Sequence, residues 1–112
     1  MKSLKVSPAV SADILMAYDY FMLGGQAAAE RFLRRYEKAR QMIERHPECC
    51  RLRPTGWRHL TIPRSSYAIF YRGAPPCWVA GAVISIVQDP DAIQAQLFIR
   101  EVTDKNLHDP EL

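Results

Sequence analysis

Residues 78–87 read Trp-Val-Ala-Gly-Ala-Val-Ile-Ser-Ile-Val, almost without a polar side chain. A short run of apolar and β-branched residues like this one is the pattern of a central strand covered on both of its faces. Its neighbours can be read from what precedes it. From Arg58 to Ile62 the side chains alternate, placing Arg58, Leu60 and Ile62 on one face and His59 and Thr61 on the other. Pro63-Arg64-Ser65-Ser66 is a turn. Tyr67 to Arg72 then sets Tyr67, Ile69 and Tyr71 opposite Ala68, Phe70 and Arg72, and Gly73-Ala74-Pro75-Pro76 turns the chain into the apolar run. Three hairpin-connected strands result, with Leu60, Ile62, Ile69 and Phe70 as core candidates.

The first half of the chain has helical spacing instead. Leu4 to Val6 is a short apolar strand, and Ser7-Pro8 supplies an N-cap residue followed by proline at the first helical position. Ile14, Tyr18, Phe21 and Met22 form an apolar stripe that Gly24-Gly25 ends. A second helix is expected from Gln26 to Arg45, where Ala29, Phe32, Tyr36, Ala39 and Ile43 recur every three or four residues until Pro47. Two helices joined by Gly-Gly make an antiparallel hairpin. After Asp89-Pro90, residues 91–103 fit either a helix through Ile93 and Leu97 or a loop leading to a last strand, LFIREV. The expected class is α+β: an N-terminal strand and a helical hairpin packed on one face of a small, mostly antiparallel sheet. Residues 1–103 are expected to form a single domain and 104–112 a polar tail.

At 112 residues the chain buries roughly two-thirds of the surface its unfolded form exposes, enough for one two-layer core. No stretch approaches the ~18 apolar residues that span a bilayer, and MKSLKVSPAV lacks the apolar segment of a secretory signal, so a cytoplasmic location and no membrane are expected. Three cysteines, two of them adjacent, make a poor disulfide framework. Cys49, Cys50 and Cys77 with His46 or His59 have no CxxC or HxxxH spacing, so no metal is expected. Charge is uneven: residues 31–72 carry eleven basic side chains against three acidic ones, whereas residues 73–112 carry two against six. A basic block suits an acidic protein partner or a nucleic acid. On the second helix Arg31, Arg34, Arg35 and Lys38 contribute to it, with Glu30 and Glu44 placed to offset Arg34 and Arg40.

Phosphate loops, dinucleotide fingerprints, zinc-protease helices and nucleophile elbows are all missing. Asp13, on the polar side of its helix, and Asp89, a natural cap, are assigned structural roles. No cofactor is expected.

The stretches VSPAVSADILMAYDYF, ERFLRRYEKARQMIERHP, GWRHL and YAIFYR followed by VISIV resemble, in order and spacing, the RelE/ParE superfamily of bacterial type II toxin-antitoxin toxins. The resemblance spans residues 4 to about 93. It implies a toxin held in a hetero-oligomer by a cognate antitoxin whose C-terminal segment wraps the helices and sheet. RelE-like members are ribosome-dependent mRNA nucleases; ParE-like members inhibit gyrase without known hydrolytic chemistry. Nucleases of this group set basic residues along the second strand and an arginine after the tyrosine of the third. This chain has His59 and Thr61, Ala68 after Tyr67, and Gln88-Asp89-Pro90-Asp91 after VISIV. Attack by a ribose 2′-hydroxyl needs a base and cations at the phosphate, and Ala68 supplies neither.

Arg58 matches the arginine with which ParE-like toxins open this strand. The resemblance therefore favours a ParE-like toxin acting on a macromolecule such as DNA gyrase. A RelE-like mRNA interferase with an altered site, acting on the ribosome and its message, and a non-toxic antitoxin-binding scaffold remain as alternatives. Arg58, Arg64 and Arg72 on the sheet, with Arg31, Arg34, Arg35 and Lys38 on the helix, are the expected partner-binding residues. His59, Tyr67 and Tyr71 are the candidates for any catalysis.

Overall fold

The computed structural model describes residues 3–108. Strand β1 (Ser3–Val6) leads into helix α1 (Pro8–Met22), which Pro8 opens. Gly25 takes φ +103°, a left-handed conformation open to glycine, and lets helix α2 (Gln26–Arg45) turn back along α1. Strands β2 (Arg58–Thr61), β3 (Tyr67–Ala74) and β4 (Cys77–Ser85) follow as two hairpins. The sheet order is β1-β4-β3-β2, with β1 parallel to β4 and the other pairs antiparallel. The α+β class, the helical hairpin and the mostly antiparallel sheet therefore match the sequence reading.

Two cores flank the sheet. On the hairpin side Val10, Ala17, Phe32, Ala39 and Ile43 pack against Ile62, Ile69, Tyr71, Trp78 and Val83. On the opposite side Trp57, Ala68, Phe70, Ala82 and Ile84 pack against Leu97, with Ile93 alongside. The pairing Phe70↔Ala82 followed by Tyr71↔Ala80 leaves Gly81 as an extra residue in β4. That bulge reverses the alternation, so Trp78 and Ala80 face the hairpin while Ala82 and Ile84 face away.

The second core corrects the expectation that helices cover one face only. Residues 90–108 form a third helix, α3 (Pro90–His108), so LFIREV is helical rather than a strand. Asp89 caps it, accepting the Asp91 N–H at 3.2 Å. Its buried contacts come from Ile93 and Leu97, four residues apart, too few to stand out as a periodic stripe. The first five residues of the expected polar tail, 104–108, continue α3; the remainder, 109–112, lies outside the described residues.

Asp13 is also placed differently from the sequence reading. It is 7% exposed, and its carboxylate faces inward. β1 pairs with β4 only as far as Ala80, so among the described residues the outer edge of β4 has no strand partner from Gly81 onward. Asp13 Oδ2 accepts the Val83 N–H at 2.9 Å there. Arg100, reaching in from α3, donates to Asp13 at 2.7 and 2.6 Å and to the Gly81 carbonyl at 3.0 Å. One ion pair thus ties α1, α3 and the open edge together and blunts that edge against another strand.

Candidate partner-binding surface

β2 and β3 carry most of the residues expected to do chemistry, and strand alternation separates them. Tyr67 packs edge-on against Phe32, with ring centres 5.6 Å apart, on the hairpin side. Tyr71 lies fully buried on the same side and donates its hydroxyl to the Pro47 carbonyl at 2.8 Å. His59 faces α3, its ring 5.0 Å from that of Phe70. Burial holds both phenol pKa values above the ordinary tyrosine range, with Tyr20 adding to the effect at Tyr67 and the Cys50 and Cys49 thiols at Tyr71. Burial, and then the charge of Arg53, push the His59 pKa below its ordinary value. The three candidates therefore do not converge on one point, and one of the hydroxyls is already engaged.

The His59 shift has a consequence for stability. A histidine whose folded pKa is depressed binds its proton more readily when unfolded, so acid favours unfolding. The contribution is absent above the ordinary pKa near 6.5 and grows as pH falls through and below it. Between pH 7 and pH 5 the Tm of the native chain should accordingly fall more steeply than that of a His59→Gln variant. Parallel slopes in thermal melts at matched ionic strength would refute this.

The three sheet arginines are also divided. Arg58 stacks over Trp78, 5.6 Å from the ring centre, and donates to the Cys50 carbonyl at 2.6 Å on the hairpin side. Arg72 stacks over Trp57 at 4.9 Å on the α3 side, with Glu101 4.0 Å away. Arg64 is exposed in the turn at the other end of β2, at φ +59°, a conformation uncommon for a residue with a side chain. They do not form one rim. Trp57 and Trp78 were the signals in the sequence that Arg58 and Arg72 had aromatic partners within the fold.

The cations of α2 behave differently. Arg40 is engaged by Glu37 and, at 2.8 Å, by Glu44, while Glu30 accepts from Gln26 at 3.1 Å rather than pairing with Arg34. Arg31, Arg34, Arg35 and Lys38 make no ion pair among the described residues. Arg31, Arg35 and Lys38 continue at helical spacing into Met42, which is half exposed, giving α2 a basic flank that ends in an apolar side chain.

α1 and the residue after it present their own stripe, Met16, Tyr20 and Leu23, exposed by 72%, 60% and 86%. The sequence reading put Ile14, Tyr18, Phe21 and Met22 in the apolar stripe and assigned these three to neither face; Met22, 41% exposed, falls with them on the open side. Met16 also borders a groove of about 340 Å³ over the open end of β4, lined by Asp13, Tyr67, Ser85, Gln88, Gln96 and Arg100. Guanidinium groups that lack internal partners, set near exposed apolar side chains, can bind an acidic amphipathic segment through carboxylate pairs and apolar burial. Among the described residues there is no cluster of three or more metal-ligating side chains, and no helix is long and apolar enough to cross a membrane.

A helical hairpin laid on a sheet that is antiparallel except for one parallel edge strand has a counterpart among solved structures. The chain superimposes with a TM-score of 0.67 on a structure described as a chromosomal ParDE toxin-antitoxin system from P. aeruginosa, at 20% sequence identity, covering 77% of this chain and 97% of that one. No protein of curated function matches it in sequence. The profile of the ParE toxin of type II toxin-antitoxin systems (parDE) matches residues 4–88, and the chain belongs to that family.

Proposed function

We propose that this chain is the toxin of a type II pair that acts in the cytoplasm, arrests growth by gripping a macromolecular target without cutting it, and is neutralised by a cognate antitoxin. DNA gyrase is the target to test first. The observation that carries the antitoxin half of the reading is the α2 flank: Arg31, Arg34, Arg35 and Lys38, without ion-pair partners among the described residues, beside exposed Met42. An acidic, amphipathic antitoxin segment matches it in charge and in apolar character. The non-catalytic half is supported by the scatter of His59, Tyr67 and Tyr71 over two faces of the sheet, and by Ala68 standing where a nuclease of this superfamily sets a cation.

The test reverses the flank. Arg31→Glu, Arg35→Glu and Lys38→Glu together should weaken antitoxin binding by at least ~100-fold, about 2.7 kcal/mol. Circular dichroism should be unchanged, because these side chains support nothing in the core. Unchanged affinity in titration calorimetry would remove the flank from the interface. Expression of the native chain alone should arrest growth with transcripts intact and gyrase supercoiling blocked. Rapid message cleavage would instead establish the interferase alternative, and undisturbed growth the scaffold.

A further inference from the structure

Where α2 ends, Cys49 and Cys50 set two thiols 3.6 Å apart at the surface, Cys49 exposed and Cys50 half-buried. Both ends of this dipeptide are fixed. The Cys49 N–H donates to the His46 carbonyl at 2.9 Å, and the Cys50 carbonyl accepts the Arg58 guanidinium at 2.6 Å. We propose that Cys49 and Cys50 form a bidentate binding site for a trivalent arsenical, a pyramidal thiophilic centre that brings its own third substituent.

Geometry selects this ligand class from the other thiol chemistries. Adjacent α-carbons lie about 3.8 Å apart across a trans peptide, short of the ~4.4 Å at which relaxed disulfides begin, so closing an S–S bond would strain the chain. Two sulfurs at 3.6 Å, each bonded at about 2.3 Å to one centre, subtend about 100° there. A linear two-coordinate ion would need sulfurs about 4.6 Å apart. A tetrahedral zinc would need further protein ligands, and the described residues gather no group of three metal-ligating side chains. Trivalent arsenic is pyramidal with angles near this bite, and one organic or hydroxyl group completes its shell.

The exchange balances without an oxidant. Two arsenic–oxygen bonds of an arsonous acid give way to two arsenic–sulfur bonds, each thiol proton leaves with a hydroxide as water, and arsenic remains trivalent. Because the fixed backbone already holds the sulfurs together, the second bond forms within one molecule at high effective concentration. Cys49, the exposed thiol, is the one open to the first exchange, and Cys50, whose pKa burial raises, gives up its proton as the chelate closes.

The experiment uses the full chain and phenylarsonous acid. Intact mass should show one phenylarsenic group per chain, and titration of free thiols should fall from three to one. Cys77→Ser should bind as the native chain does, since Cys77 lies at the start of β4 and outside the pair. Cys49→Ser, which alters an exposed side chain and so spares the fold, should weaken binding by at least ~100-fold through loss of the chelate. No adduct on the native chain, equal affinity in Cys49→Ser, or loss of the adduct in Cys77→Ser would each overturn the assignment.

Discussion

Asp13→Ala should lower the stability of this chain by about 3–5 kcal/mol, far beyond what loss of a surface charge costs. The carboxylate takes both terminal nitrogens of Arg100 and the Val83 N–H, at 2.6 to 2.9 Å. Alanine would take from the guanidinium, whose side chain is 21% exposed, the carboxylate that both its terminal nitrogens bind, and would leave the Val83 amide without that acceptor. The penalty comes mostly from desolvated groups losing the carboxylate that satisfied them rather than from the intrinsic worth of the pair. Removing both partners should therefore cost less: Asp13→Leu with Arg100→Met should recover part of the loss, at the cost of the bonds to the Val83 amide and the Gly81 carbonyl at the strand edge. Urea unfolding followed by circular dichroism checks both expectations. A single-variant loss under about 1 kcal/mol, or a double variant no better than Asp13→Ala, would show that the pair does not tie α1, α3 and β4 together.

That pair also shows where sequence reading stops. Strand alternation assigned Arg58 and His59 to opposite faces and put Tyr67, Ile69 and Tyr71 together, and the register agrees because a strand has only two faces to choose from. Helix spacing placed Phe32, Ala39 and Ile43 in the core for a similar reason. The nearly all-apolar run at Trp78–Val87 called for cover on both faces of its strand, and from Trp78 to Ile84 the hairpin and α3 supply it. What named α3 was weak: two buried apolar positions, with Phe98 and Ile99 exposed by 67% and 60%. Asp13 and Arg100 are 87 residues apart, and nothing local to either announces the other. Gly81 is equally silent, since only the register of both strands shows that it interrupts the alternation. On the candidate surface, local charge identified the α2 cations, but which arginines the fold would engage depended on two tryptophans brought up by tertiary packing.

Ending the chain after Gln88, where the family match stops, should have the largest effect of all. Residues 3–88 contain the whole sheet and the helical hairpin, yet among the described residues α3 is the helix that covers one face of that sheet. Without it Trp57, Phe70 and Ile84, now 2%, 5% and 7% exposed, would face water as a contiguous apolar patch. The burial of Leu97 and Ile93, roughly 2 kcal/mol each, would be lost. Asp13 would lose both bonds from Arg100 as well, a loss that water entering where α3 lay offsets only in part. Together these approach the entire stability of an ordinary domain, about 5–15 kcal/mol. The shortened chain should keep its far-ultraviolet signal, lose its near-ultraviolet signal, bind ANS and melt without a cooperative transition. Leu97→Ala in the full chain isolates the packing share, expected at about 2–4 kcal/mol with cooperativity retained. A shortened chain that unfolds cooperatively within ~2 kcal/mol of the full one would mean that the family region closes its own core and that α3 merely rests on it. The opposite result would make the third helix part of the fold itself, since a sheet strand as apolar as β4 cannot leave either face to solvent.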